Sequence, residues 1–160
     1  SRGHRPTRRA PARGAPVTPT IRRAGPEDIP ELCRLLAELG DHPVSSADME
    51  DRLAFIAGSP ADELYVLETG GSVKGVLGFR IRENLEERSR YGEISVLVTD
   101  PDSRRLGLGR ALMAHAEALA AARGCKGTWL VSGFGREEEE RRAGQSLGYR
   151  ITGCRFVKPG

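Results

Sequence analysis

The stretch Val96–Ala116, VLVTDPDSRRLGLGRALMAHA, constrains this chain more than any other. It opens as an apolar strand and passes through a Pro-containing polar turn. It then tightens into Arg104-Arg105-Leu106-Gly107-Leu108-Gly109 and runs on as an Ala- and Leu-rich helix. A helix start leaves backbone N–H groups without partners and carries the positive end of the helix dipole, so it is an anion site. Gly107 and Gly109 have no side chain to block approach to those amides. Arg104, Arg105 and Arg110 add positive charge around the same spot. The ligand chemistry that fits is a diphosphate at the tip of a strand. By itself, a Gly-x-Gly pair also serves merely to ease a tight turn, with its arginines solvated.

Two familiar phosphate loops do not match. A P-loop needs Gly-x-x-x-x-Gly-Lys-Ser/Thr, and no Lys-Ser/Thr follows here. A dinucleotide fingerprint needs a third Gly or an Ala where this chain has Leu112, and no strand runs straight into the glycines.

The elements around this segment set the fold class. Thr20–Arg23 reads as a short strand, and Gly25-Pro26-Glu27-Asp28 as a helix start with acids in its first turn. Ile29, Leu32, Leu35, Leu36 and Leu39 recur at helical spacing up to Gly40. A second helix is expected from about Ser46 to Ala57. Leu64–Glu68 and Val73–Arg82 are strands around Gly70-Gly71, the best hairpin signal in the chain. Tyr91–Thr99 is a further strand, Leu108–Arg123 the clearest helix, and Thr128–Val131 a strand. Arg136–Ser146 reads as a helix and Tyr149–Val157 as a last strand. Antiparallel neighbours followed by a strand–helix–strand unit imply an α/β fold, with a mixed, mostly antiparallel central sheet and helices on both faces.

The chain has 160 residues, enough for one domain with a real core. Its net charge of +3 is uneven. Residues 1–19 hold Arg2, Arg5, Arg8, Arg9 and Arg13 and no acid, so removing those five charges leaves −2 for the rest. That Pro-, Gly- and Arg-rich segment is expected to be a disordered basic tail, with the folded domain over 20–160. Nucleic-acid binding by the tail is the competing reading; a solvated leader is the expected one. No apolar run approaches the roughly 20 residues of a membrane span, and the N-terminus has no signal-like apolar stretch. Cys33, Cys125 and Cys154 form no CxxC, and their odd count fits a reducing cytoplasm. His4, His42 and His115 lack ligand spacing, so no metal site is expected.

The full segment Leu97–Leu112 resembles motif A of the GNAT superfamily, the acyl-CoA-dependent N-acetyltransferases. The family core, Arg/Gln-x-x-Gly-x-Gly/Ala, is met by Arg104, Gly107 and Gly109, and Gly148-Tyr149 resembles the Gly-Phe/Tyr that opens the family's final strand. The resemblance spans roughly residues 20–158 and is specific at motif A. It implies acetyl-CoA in the opening between two splayed parallel strands. Leu97, Val98 and Thr99 would bind the pantetheine arm through their backbone, and the amides of Arg104, Arg105, Leu106, Gly107, Leu108, Gly109 and Arg110 would hold the pyrophosphate. An acceptor amine, on a small molecule or a peptide, would attack the thioester directly. Dimers are common in the family, so a homodimer is allowed for. Neither membrane nor nucleic acid is an expected partner.

Direct transfer needs an unprotonated amine, and so a base or a water relay to one. Glu93, four residues before Leu97, resembles the glutamate base of the histone-acetylating branch; the competing reading is an outward strand residue or an ion-pair partner. The Val98 amide is the oxyanion donor that the resemblance implies. The usual acid for the leaving thiolate is absent. Counting back from Gly148 puts Gly144 where many relatives carry Tyr, with Ala143 before it and with Glu137 and Glu140 where Asn and Ala are common. Solvent protonation, substitution by Tyr149, or coenzyme binding with little turnover all remain open. The last is the alternative reading of the whole chain: a CoA-binding module with a regulatory or interaction role. Trp129 and Leu130 are expected in the core, His115 at the surface or in packing. Ser132 and Phe134 would lie at the mouth of the groove, and Phe79, Arg80 and Arg82 on a strand that lines the acceptor side in relatives, with alternate positions facing solvent. The acceptor itself is not legible.

Overall fold

The structure, a computed structural model, describes residues 18–40, 42–103, 106–130, 148–149 and 157–160. Arg104, Arg105, most of the basic tail, Ser132, Phe134, the expected helix over 136–146 and nearly all of the expected last strand therefore lie outside the described residues.

Five strands form one sheet in the order β1 (Thr20–Arg23), β2 (Asp62–Thr69), β3 (Ser72–Glu83), β4 (Arg90–Thr99) and β5 (Gly127–Leu130). The first three pairings are antiparallel, and β4 and β5 run parallel. Helices α1 (Ile29–Gly40) and α2 (Ser46–Gly58) follow β1, and α3 (Leu108–Ala122) joins β4 to β5. The expected start of α1 at Gly25–Asp28 is a single 3-10 turn, Pro26–Asp28, in which the Asp28 carboxylate accepts the Gly25 amide at 2.8 Å. The β2–β3 connection is the two-residue turn Gly70-Gly71, with φ of 62° and 78°. Two consecutive positive φ values define the turn that matches strand twist, and glycine adopts them without strain.

Period-two alternation sends successive strand residues to opposite faces. Leu64, Val66, Val73 and Val76 meet Ile29, Leu32, Leu35 and Met49 of α1 and α2. Tyr65, Leu67, Leu77, Phe79 and Ile94 meet Leu108, Leu112, Met113, Ala116 and Ala120 of α3. Helices thus cover both faces, as the sequence pattern requires. Buried charge ties the edges together. Glu63 accepts from Arg23, Arg123 and the Tyr65 hydroxyl, the last at 2.8 Å, which joins β1, β2 and the end of α3. His115 packs edge-on against Tyr65 at 4.7 Å, and burial lowers its pKa. It is a packing residue, one of the two expected outcomes.

Trp129 departs from expectation. The residue is 36% exposed and its ring stacks on Tyr91, with centroids 5.2 Å apart and planes 14° apart. Strand parity is the reason: Leu130 packs toward the α3-side core, so its neighbour Trp129 faces the opposite way.

A bulge divides β4. Its register with β3 steps from Gly78↔Val96 to Phe79↔Ile94, so Ser95 is an extra residue. The described pairing with β5 runs from Tyr91↔Gly127 to Ile94↔Leu130, below this bulge, where the described part of β5 ends. Beyond it, β4 is held by β3 alone among the described residues.

Candidate active site

The upper half of β4 leads into the glycine turn, and Asp100 fixes where the chain leaves the sheet. Its amide donates to Lys74 O at 2.8 Å. Its buried carboxylate accepts the Asp102 amide at 2.9 Å, Arg34 Nη1 at 3.1 Å and Lys74 Nζ at 3.4 Å. The Asp102 amide, aided by the two cations, holds this carboxyl below its ordinary pKa. Sequence reasoning missed Asp100. An Asp directly before Pro, at the end of a strand, was the available signal for a cap.

Gly107 caps α3 in the left-handed conformation, φ 74°, ψ 16°. The helix's first bond runs from the Ala111 amide to Gly107 O at 3.0 Å, and no side chain caps the helix. The amides of Leu108, Gly109 and Arg110 therefore have no intrahelical acceptor. Leu108 is buried and anchors the helix start in the core, while Leu106, Gly107 and Arg110 are exposed. Gly109 is informative in a different way. Its φ is not positive, and an added Cβ would meet nothing within 4 Å. Neither backbone strain nor described packing demands a glycine there.

Hydrogen-bond parity along β4 identifies which backbone groups face away from β3. In an antiparallel pair, alternate residues turn their N–H and C=O toward the partner. The Asp100 bond to Lys74 makes that pair a bonded one, so Val98↔Val76 is the next and Leu97↔Leu77 is not. The bond from the Ile81 amide to Ala61 O agrees, because it turns odd-numbered β3 residues toward β2. The Val98 amide is thus directed at β3, against the oxyanion role expected of it. Leu97 and Thr99 direct their backbone groups to the opposite edge. Below the bulge the parity is reversed: the Lys126 amide donates to Arg90 O at 2.7 Å, so Arg90, Gly92 and Ile94 face β5. Ser95 is what turns the backbone groups of Leu97 and Thr99 away from β3.

Glu93 lies below the bulge on the face away from α3. Its Oε2 accepts Arg80 Nη1 and Arg82 Nε, both at 3.3 Å, and the side chain is mostly buried. Arg80 also donates to Asp62 at 2.6 Å. Phe79, on the strand expected to line the acceptor side, is fully buried beneath α3. Tyr149 packs against the α3-side core. Its hydroxyl is 2.7 Å from Thr128 Oγ1 and donates to Glu117 at 3.3 Å, and burial raises its pKa. A separate cavity of about 800 Å³ lies at the other end of the sheet, between α2 and the starts of α1 and β2, lined by Arg23, Ile29, Leu53, Glu63 and Arg123 among others. It includes neither the glycine turn nor Glu93. No group of His, Cys, Asp or Glu among the described residues is arranged to hold a metal ion, and no described helix is long and apolar enough to cross a membrane.

A mixed sheet with one parallel pair, a bulge in the strand that leads into α3 and a bare helix start at that strand's tip is the α/β arrangement of the acetyltransferases it resembles. The sequence pattern of the acetyltransferase (GNAT) family matches residues 29–142, and the chain belongs to that family. Among solved structures it is similar to a GNAT family acetyltransferase of Staphylococcus aureus, at 25% identity and TM-score 0.74, covering 88% of this chain and 98% of that one. It shares the fold of glucosamine-6-phosphate N-acetyltransferase from Arabidopsis thaliana, at 18% identity and TM-score 0.75, over 89% and 98% of the two chains. An aminoglycoside N-acetyltransferase in complex with CoA also shares it, at 16% identity and TM-score 0.78, over 94% and 99%. No curated protein matches the chain.

Proposed function

We propose that this chain transfers an acetyl group from acetyl-CoA to a primary amine. The observation that carries the reading is the start of α3, where three amides lack acceptors and Gly109 is bare without a described structural cause. The coenzyme supplies an activated thioester. The amides of Leu108, Gly109 and Arg110 bind its diphosphate, with Arg104 and Arg105 adding charge. Leu97 and Thr99, whose backbone groups turn away from β3, bind the pantetheine arm. The oxyanion role passes from Val98 to Leu97, whose amide also turns away from β3. Leu97 N–H donates to the carbonyl oxygen as charge develops there.

As the C–N bond forms and the C–S bond breaks, the amine's proton passes through a water to Glu93. Arg80 and Arg82 hold that carboxylate in place. Solvent protonates the departing thiolate, a fair leaving group with a reference pKa near ~8.5. Tyr149 is already engaged by Thr128 and Glu117. The scattered cysteines support a cytoplasmic site of action.

A thiol-release assay with a panel of amines tests the reading, and turnover with saturable acetyl-CoA binding is expected. Saturable binding without turnover on any amine would instead fit a CoA-binding module. Glu93→Gln should lower kcat by about 100-fold or more, in the range of general-base effects, with acetyl-CoA affinity kept. An unchanged rate would leave Glu93 an ion-pair partner only.

A further inference from the structure

The sheet face opposite α3 carries two cross-strand rows just below the Ser95 bulge. One row is Arg80, Glu93 and Trp129; the other is Arg82, Tyr91 and Gly127. The apolar residues that α1 and α2 cover on this face, Leu64, Val66, Val73, Val76, Val96 and Val98, all lie above these rows. The α3 face is closed by packed core, so an acceptor reaching the middle of β4 has this face to approach by. Gly127 leaves room for the Tyr91 ring, 3.1 Å from where its Cβ would be, and Tyr91 in turn backs the exposed indole of Trp129. Ser95 Oγ lies over Gly78 on the same face, 2.6 Å from where a Cβ would sit.

The charges on these rows are unevenly committed. Glu93 accepts from both arginines, and Asp62 accepts from Arg80 and Ser59. Each carboxylate is already bridged. Arg80 uses two of its nitrogens on carboxylates. Arg82 uses only Nε, is 47% exposed, and both its Nη groups are without a partner among the described residues. Glu93 Oε1 belongs to a mostly buried side chain, so the exposed hydrogen-bonding capacity of these rows among the described residues is cationic and fork-shaped, the geometry that takes a carboxylate or phosphate two-handed. Among the described residues of these rows, a polycationic acceptor finds no carboxylate free of an arginine.

Resting on the acetyltransferase reading, we infer that the acceptor is an amine that also carries an anionic group, which Arg82 binds beside the Trp129–Tyr91 wall. The Arg82 guanidinium leans to the row of Glu93. That row is three β3 residues from Leu77, the register partner of Leu97, or about 10 Å at ~3.3 Å per residue. Amine and anion are therefore separated by several bonds.

Probe pairs that differ only in the anion test this: glucosamine 6-phosphate against glucosamine for a phosphate, and 6-aminohexanoate against 6-aminohexanamide for a carboxylate, with spermidine as the polycation. Trp129 is the only tryptophan of the chain, so its fluorescence reports binding without turnover. In at least one pair the anionic member should perturb that fluorescence and show a kcat/KM at least tenfold above its neutral partner. Arg82→Gln should reduce that ratio to within about threefold through KM, with calorimetric acetyl-CoA affinity unchanged. A purely structural role for Arg82 would instead lower both members of the pair alike. The inference is overturned if neutral amines or spermidine are equal or better substrates, if Arg82→Gln keeps the ratio, or if no anionic probe perturbs Trp129. Failure of the acetyltransferase reading looks different: acetyl-CoA itself does not bind, and no probe releases thiol.

Discussion

Replacing Gly109 with Ala separates folding from coenzyme binding, because the two should move in opposite directions. Gly109 is the second residue of α3, its φ is not positive, and a Cβ there would contact no described atom. Ala restricts the unfolded chain and favours the helix, worth up to about 1 kcal/mol in a helix interior and roughly half that in a first turn. For a domain of this size that raises Tm by about 2 °C. The same methyl would stand where the diphosphate approaches the amides. Losing one hydrogen bond to a charged group costs about 1.5–3 kcal/mol, or roughly 10- to 150-fold in Kd for acetyl-CoA. Gly107→Ala is the contrasting variant. Its left-handed φ of 74° imposes about 1–2 kcal/mol of strain on any residue with a Cβ, so it should melt several degrees lower. Thermal unfolding followed by calorimetry with acetyl-CoA reads both quantities on the same sample. Gly109→Ala that binds acetyl-CoA like the wild type would refute the placement of the diphosphate. Gly109→Ala that melts several degrees lower would refute the account of why a glycine stands there.

Other outcomes follow from the packing and the charges. Asp100 has a lowered folded pKa, so its contribution is complete above the unfolded value near ~3.9 and is lost as pH falls through the folded one. Asp100→Asn should therefore cost about 1–3 kcal/mol in urea unfolding at pH 7, and the difference from wild type should shrink below pH 4. An equal difference at pH 7 and pH 3 would mean that its charge is not what holds the β4 end. Phe79→Ala, at a fully buried site between α3 and the sheet, should destabilise by about 3–5 kcal/mol; a loss under 1 kcal/mol would contradict the packing described for it.

The sequence by itself determined a great deal here, because the strongest signals are local. The spacing of Ile29, Leu32 and Leu35, the Gly70-Gly71 turn, and the strand-to-helix passage at Gly107 each follow from neighbours along the chain. Together they gave the order of elements, the mixed sheet and the family. Side-chain placement across strands was less legible. Trp129 reads as core by composition, yet the parity of β5 turns it outward, and Phe79 lies on a strand that faces two environments. The bulge at Ser95 left no mark in the sequence, since an extra residue is defined only by the partner strand it fails to match. That one residue reverses hydrogen-bond parity along β4 and turns the amide of Leu97, rather than Val98, away from β3. It is a relation between strands, and only the tertiary structure decides it.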